Sequence, residues 1–249
     1  MEKTKKPRRS GRILLLLLLI GALVGVLFYR GVLWFNMPSE ARYPVRGVDV
    51  SHYQETVDWQ VLAKQGLTFA YVKATEGSGT ADECFAANWQ GARAAGLYTG
   101  AYHFFSFESA GETQAENFIS NVPKEADALP PVIDLEYYRT TDLPDKETVQ
   151  THLRTLIDRL ADYYGKQPVI YTTNACWRDY LSDIGRDYTL WMRSILTVPQ
   201  GETAPLWSLW QYNPRGRLEG YSGGETMIDL NVYRGTLRQF CAEMGVPEK

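Results

Sequence analysis

The stretch "LPPVIDLEYY", Leu129 to Tyr138, decides how the rest of the chain is read. Two prolines open a short apolar run, and the run ends in two carboxylates separated by one leucine. In an extended strand, residues i and i+2 face the same way, about 6–7 Å apart along the chain. Asp134 and Glu136 are therefore expected on one face and Leu135 on the other. Two like charges side by side at the end of a buried strand cost stability, and that cost calls for a chemical reason.

Around this strand the pattern alternates. "RGVDVSHY", "FAYVKAT", "YTGAYHFF", "PPVIDLEY" and "PVIYTT" read as strands. Between and after them lie segments of helical period, "VDWQVLAKQG", "DECFAANWQGARAAG", "AGETQAENFISNV", "DKETVQTHLRTLIDRLADYYG" and the short "NACWRDYL". Such alternation implies parallel βα units with buried strands. The rhythm then changes: "YTLWMRSI", "LWSLWQYN" and "ETMIDLNVY" follow with loops between them, and "TLRQFCAEMG" closes the chain as a helix. Eight strands can close a barrel, and a parallel barrel gathers its active site at the carboxyl ends of the strands.

The amino-terminal stretch stands apart from this pattern. "MEKTKKPRRSGR" carries six basic residues and one acid, and Ile13 to Tyr29 follows without a charge. This is the pattern of a membrane span with its amino terminus inside, extended past Arg30 by "GVLWF". A cleaved signal peptide is the rival, but the run is long for that role. The nearest small-x-small triplet, Ser39-Glu40-Ala41, also lies well beyond it. The expected organisation is a basic cytoplasmic tail at 1–12, a transmembrane signal anchor at 13–35, a linker at 36–45 and one α/β domain at 46–249. With 249 residues, 45% hydrophobic and 13% aromatic, the chain is ample for one large domain.

Without the basic tail, residues 13–249 hold 20 Lys+Arg against 28 Asp+Glu, a net charge of −8. An acidic exterior domain repels polyanions, so nucleic acid is excluded as a partner. Cys84, Cys176 and Cys241 show neither a disulfide framework nor a zinc spacing and are expected as small buried side chains. The chain contains no nucleophile elbow, phosphate loop or paired histidine–glutamate motif. No cofactor or metal is expected.

Acids recur at the ends of the expected strands: Asp49 in "GVDVS", Asp134 and Glu136 in "VIDLE", Asp229 in "MIDLN". These are strands one, four and eight, which converge at one mouth of a closed barrel. Aromatic residues accompany them, among them Tyr53, Tyr102, Phe104, Tyr171, Trp191 and Trp210. A cleft that combines carboxylates with rings suits a sugar, whose C–H faces pack on rings while its hydroxyls bond to acids.

With these residues in view, the chain resembles glycoside hydrolase family 25, the lysozymes (N-acetylmuramidases) that cut peptidoglycan glycan. The resemblance is carried by "RGVDVSHYQETVDW", "FAYVKATEG", "GLYTGAYHFF", "PPVIDLEYY", "PVIYTT", "LWSLWQY" and "IDLNVY", in that order. It implies a single irregular TIM-like (β/α)5(β)3 barrel. It also implies Glu136 as general acid, Asp134 as its acidic partner, Asp49 and Asp229 as further acids of the site, and Tyr171 in its lining. Tyr102, Trp191 and Trp210 are expected to bind substrate beside them. The implied partner is the peptidoglycan glycan strand, met by a monomer held at the membrane through its amino-terminal helix, with the domain outside the cell. One departure stands out. Family members often show an alanine and then an aromatic residue after "LW", where this chain has "LWMRSI", so Arg193 and Ile195 are expected to alter a subsite.

A carboxylate neighbour and partial burial both raise a pKa. On the sequence alone, Asp134 is expected to help keep Glu136 protonated, and the stability cost of the doublet becomes a condition of its chemistry.

Overall fold

A computed structural model of the protein describes residues 9–34, 36–138, 141 and 143–249. The chain divides into two compact units between Phe35 and Asn36. The first holds α1 (Arg9–Tyr29). Its segment Gly11–Tyr29, with a mean hydropathy of 2.6, is long and apolar enough to cross a membrane. The expected basic tail lies outside the described residues as far as residue 8, and so does Phe35 at the end of the expected span. From Arg9 onward the tail is already helical.

The second unit is a closed barrel of eight strands: β1 (Arg46–Val50), β2 (Phe69–Glu76), β3 (Tyr98–Phe104), β4 (Val132–Leu135), β5 (Val169–Thr173), β6 (Leu190–Arg193), β7 (Trp207–Gly216) and β8 (Ile228–Tyr233). Each strand pairs with the next, and β1 pairs with both β2 and β8, which closes the ring. Helices follow the first five strands: α2 (Trp59–Ala63), α3 (Phe85–Ala94), α4 (Gly111–Asn121), α5 (Lys146–Tyr164) and the short α6 (Asn174–Cys176), which runs on into a π-turn at Trp177–Leu181. The last helix, α7 (Leu237–Met244), comes after β8.

One strand departs from the expected parallel arrangement. β1 to β7 run parallel, but β8 is antiparallel to both of its neighbours. A parallel strand needs a long crossover, usually through a helix, whereas an antiparallel one can be reached by a loop. The chain between Gly216 and Ile228 contains no helix, so β8 returns in the opposite direction. The mouth at the carboxyl ends of β1–β7 therefore meets the amino end of β8, and Asp229, second in its strand, still arrives there.

Strand alternation divides the core into two layers. Val48, Val72, Ile133, Leu135 and Ile170 face outward beneath Leu62, Trp89, Phe118 and Leu153 of the helices. Phe69, Tyr71, Tyr98, Val132, Tyr171, Trp191 and Leu209 face inward. The interior is narrow: a Cβ at Gly47 would strike the Phe69 ring and one at Gly100 the Tyr71 ring. α7 seals the end opposite the mouth. Its Phe240 stacks on Phe69 at 5.3 Å and meets Tyr98 and Tyr233 edge-on. A capping box of Thr236 and Gln239 starts this helix and Gly245, at φ 62°, ends it.

Two expectations are corrected. Residues 36–45 belong to the compact barrel unit and are not a free linker. Tyr43 and Val45 are buried, Asn36 Nδ2 donates to the carbonyls of Ser194 and Ile195 at 3.3 Å, and Arg46 Nη1 donates to Pro38 O at 3.1 Å. The cysteines are unpaired, but only Cys176 and Cys241 are buried, while Cys84, just before α3, is partly exposed.

Candidate active site

The inward residues at the mouth form a cleft of about 350 Å³. Asp49 from β1, Tyr102 from β3, Asp134 and Glu136 at the end of β4, Tyr171 from β5, Trp191 from β6 and Asp229 from β8 all line it. Asp134 stands beside Phe104 of β3 and Tyr171 of β5 in the ladder, and Phe105 N donates to its carbonyl at 2.9 Å. Leu135, fully buried, lies in the outer layer. The doublet thus occupies the inner face that the period of two requires.

Trp210 is placed elsewhere. Its neighbours Leu209 and Gln211 face inward, so Trp210 points into the outer layer, 2% exposed, and its Nε1 donates to Ser194 O at 2.8 Å. It does not line the cleft and is set aside as a substrate contact. Trp191 is equally buried but forms the floor, edge-on to Tyr171 at 5.2 Å.

Tyr53 and Phe104 line the cleft as the sequence suggests, while other lining residues escaped the sequence reading: Gln54, Lys73, Gln211 and Glu225. Gln211 and Asn231 have a defined task. Asn231 Nδ2 donates to Asp49 Oδ1 at 2.6 Å, and Gln211 Nε2 approaches the same carboxylate at 3.3 and 3.4 Å. Behind them, Trp191 Nε1 donates to Asn231 Oδ1 and Tyr171 Oη donates to Gln211 Oε1, both at 3.0 Å. Two relays, Trp191–Asn231 and Tyr171–Gln211, therefore converge on Asp49 and fix its orientation. Their signal in the sequence is a polar residue two places from a site residue or an inward leucine within an apolar run.

Electrostatically the mouth strains against ionisation. Burial raises the pKa of Asp229 well above the carboxylate range, with further raising from Asp49 opposite it in the ladder. Asp49 is also raised by burial, although its hydrogen bonds from Asn231, with Asp229 and from Gln211 oppose the effect. The doublet differs from expectation. Asp134 is raised well above its ordinary value, first by burial and then by the charge of Glu136. Glu136 is raised by burial and by Asp49, while Arg193 lowers it. The repulsion within the doublet falls on Asp134 because Asp134 is the more deeply buried of the two. Its Oδ1 is also buried without a hydrogen-bond partner among the described residues. A buried acceptor left unmet is costly, and this one belongs to a residue that lines the cleft.

The site can therefore offer a carboxyl whose protonated form burial favours, a second and more deeply buried carboxyl beside it, and a ring-lined wall. Comparison with known proteins agrees with that chemistry. The family model described as glycosyl hydrolases family 25 matches residues 48–221. Lysozyme M1 of Streptomyces globisporus is 35% identical over 213 residues, covering 80% of this chain and 70% of that protein. A family 25 glycosyl hydrolase structure from Bacillus anthracis superposes with a TM-score of 0.78 at 44% identity, covering 84% of this chain and 98% of that one. A bacterial lysozyme from Streptomyces coelicolor gives a TM-score of 0.71 at 32% identity, covering 81% and 97%.

Proposed function

The chain belongs to glycosyl hydrolases family 25, and we propose that it is a lysozyme cleaving the β-1,4 bond between N-acetylmuramic acid and N-acetylglucosamine in peptidoglycan. Glu136 donates its proton to the leaving glycosidic oxygen. A bound glycan strips water from Glu136 and strengthens the burial that already raises its pKa.

The observation that carries the mechanism is the placement of Asp134 and Glu136 at one strand end in the lining of one cleft. An N-acetyl N–H of the substrate donates to the Asp134 carboxyl. Asp134 and Glu136 leave one strand end on one face, so both approach the sugar from the same side. A nucleophile must attack opposite the leaving group, and that geometry favours the substrate's own acetamido oxygen over Asp134. The acetamido oxygen bonds to C1 as the C1–O bond breaks and the Glu136 proton passes to the departing oxygen. Water then attacks C1 as the bond from C1 to the acetamido oxygen breaks and the acetamido group is restored, and a proton of the water passes to Glu136, with retention of configuration. Asp134 holds and stabilises the acetamido group through both steps. Asp49, fixed by Asn231 and Gln211, and Asp229 line the cleft beside the reacting sugar.

α1 serves as an uncleaved anchor that keeps the barrel at the outer face of the membrane, where it takes part in cell-wall remodelling. Full-length protein in the membrane fraction supports this reading, and recovery of a soluble form beginning near Arg42 overturns it. The activity is tested by digesting purified peptidoglycan with the full-length chain and identifying the new reducing-end sugar by mass spectrometry. N-acetylmuramic acid there supports the proposal. N-acetylglucosamine identifies a different glycosidase, and no release identifies a binding protein on the same scaffold.

A further inference from the structure

Glu136 has a partner that glycoside hydrolysis does not itself require. Arg193 ends β6 at the mouth, two residues beyond inward-facing Trp191 and two strands around the ring from β4. Its Nη1 lies 3.7 Å from Glu136 Oε2, and the two side chains are 38% and 26% exposed, so solvent screens the pair only in part. Lys73 stands two strands away on the other side, on β2, but it is taken up by Glu76 at 2.7 Å and by the Phe104 ring. Among the described residues, Glu136 is the one ion-pair partner of Arg193. Lys73 and Arg193 thus have different tasks.

We propose that Arg193 is a positioning residue for Glu136, holding that carboxylate on the β6 side of the cleft and setting how acidic the medium must be for turnover. The proposal rests on Glu136 being the proton donor.

The other groups around Glu136 all bear on this balance. Asp49 of β1, Asp134 of β4, Asp229 of β8 and Glu225 in the loop before β8 are acids. Tyr102 of β3 and Tyr171 of β5 are phenols held neutral, burial being the first cause in each. Cys176 of α6 is a thiol that burial pushes up to about 12, and Lys73 is already paired. Gln211 of β7 is neutral. Against burial and Asp49, which favour the protonated form of Glu136, Arg193 is the charge that opposes. Removing it leaves the raising unopposed, so Glu136 keeps its proton to higher pH.

The test is the pH profile of kcat/KM on solubilised peptidoglycan for the purified full-length chain, its Arg193→Ala and Arg193→Lys variants, and Glu136→Gln. The alkaline limb of Arg193→Ala is expected to move upward. Activity one pH unit above the wild-type limb, relative to the plateau, should rise on the order of three- to tenfold, and Arg193→Lys should stay near wild type. A purely structural loss lowers the whole profile without moving the limb, and Arg193→Lys provides a folded control for that outcome. An unmoved limb in Arg193→Ala overturns the proposal, and so does a raised KM at constant limb, which assigns Arg193 to substrate binding instead. An active Glu136→Gln overturns the reading of Glu136 as donor. An inactive Glu136→Gln with an unmoved Arg193→Ala limb overturns only the role of Arg193.

Discussion

The two ends of the barrel are built from the same strands and obey opposite rules. On β2 the inward residues run Phe69, Tyr71, Lys73, and on β4 they run Val132, Asp134. β8 enters the mouth with Asp229 and leaves at the closed end with Tyr233. Toward α7 the interior is apolar and aromatic, and Phe240 fills it. Toward the mouth the same positions turn acidic, and the carboxyls there are driven away from their charged forms. The closed end contributes stability and has no chemical task, while the open end gives up stability to hold protons and an unmet acceptor. Substitutions should therefore separate cleanly: those at the mouth should reduce turnover and spare the fold, and those at α7 should do the reverse.

The largest separation is expected at Glu136. Glu136→Gln keeps shape and hydrogen bonding but cannot donate the proton. General acid catalysis contributes about 10²–10⁴-fold, so turnover on peptidoglycan should fall by that order while glycan binding and thermal stability change little. Near-normal turnover in this variant removes the doublet from the chemistry and with it the contrast between the two ends.

Phe240→Ala is the opposite case. It empties a fully buried position between Phe69, Tyr98 and Tyr233. Phe→Ala changes in cores cost about 3–5 kcal/mol, which lowers Tm by roughly 6–20 °C for a domain of this size. Turnover of the folded protein, measured well below that transition, should stay within about a factor of three of wild type. A variant that unfolds no earlier than wild type shows that α7 is a dispensable cover.

The mouth was more legible in the sequence than the rest of the barrel, for a physical reason. Asp49, Asp134 and Asp229 interrupt apolar runs, and a carboxylate in such a run declares its face. "LWSLWQY" gives no such cue, because a strand buried on both faces is apolar at every position. Trp210 and Leu209 were therefore indistinguishable until the ladder fixed their parity. Gln211 and Asn231 are polar and carried a usable sign, the period of two from Leu209 and Asp229. The lack of a crossover helix after β7 is visible in the sequence, but the direction of β8 is fixed only by its antiparallel pairing with β1 and β7. Residues 36–45 read as a linker because their anchoring partners, Ser194 and Ile195, lie about 160 positions away in sequence. Burial depth, set only by tertiary packing, decided which member of the doublet bears the repulsion.

The smallest predicted effect sharpens the contrast most, since it concerns stability at the mouth itself. A carboxyl whose folded-state pKa is raised contributes stability that is fully present below its unfolded value, about 3.9 for an aspartate, and loses it as pH rises through the folded value. Asp134 is such a group, raised by burial and by Glu136. Asp134→Asn cannot titrate and escapes that loss. The variant should therefore lose turnover yet melt a few degrees higher than wild type at neutral pH, with the gap closing toward pH 4. Comparing the two proteins at each pH cancels His103, which burial holds near 4 between Thr75 and Gln114 and which destabilises both equally as pH falls from about 6.5. Differential scanning calorimetry across pH 4–8 measures the gap directly. A gap that is absent at neutral pH, or that widens in acid, means that the Asp134 carboxyl is at ease in its site and that the open end gives up no stability for its chemistry.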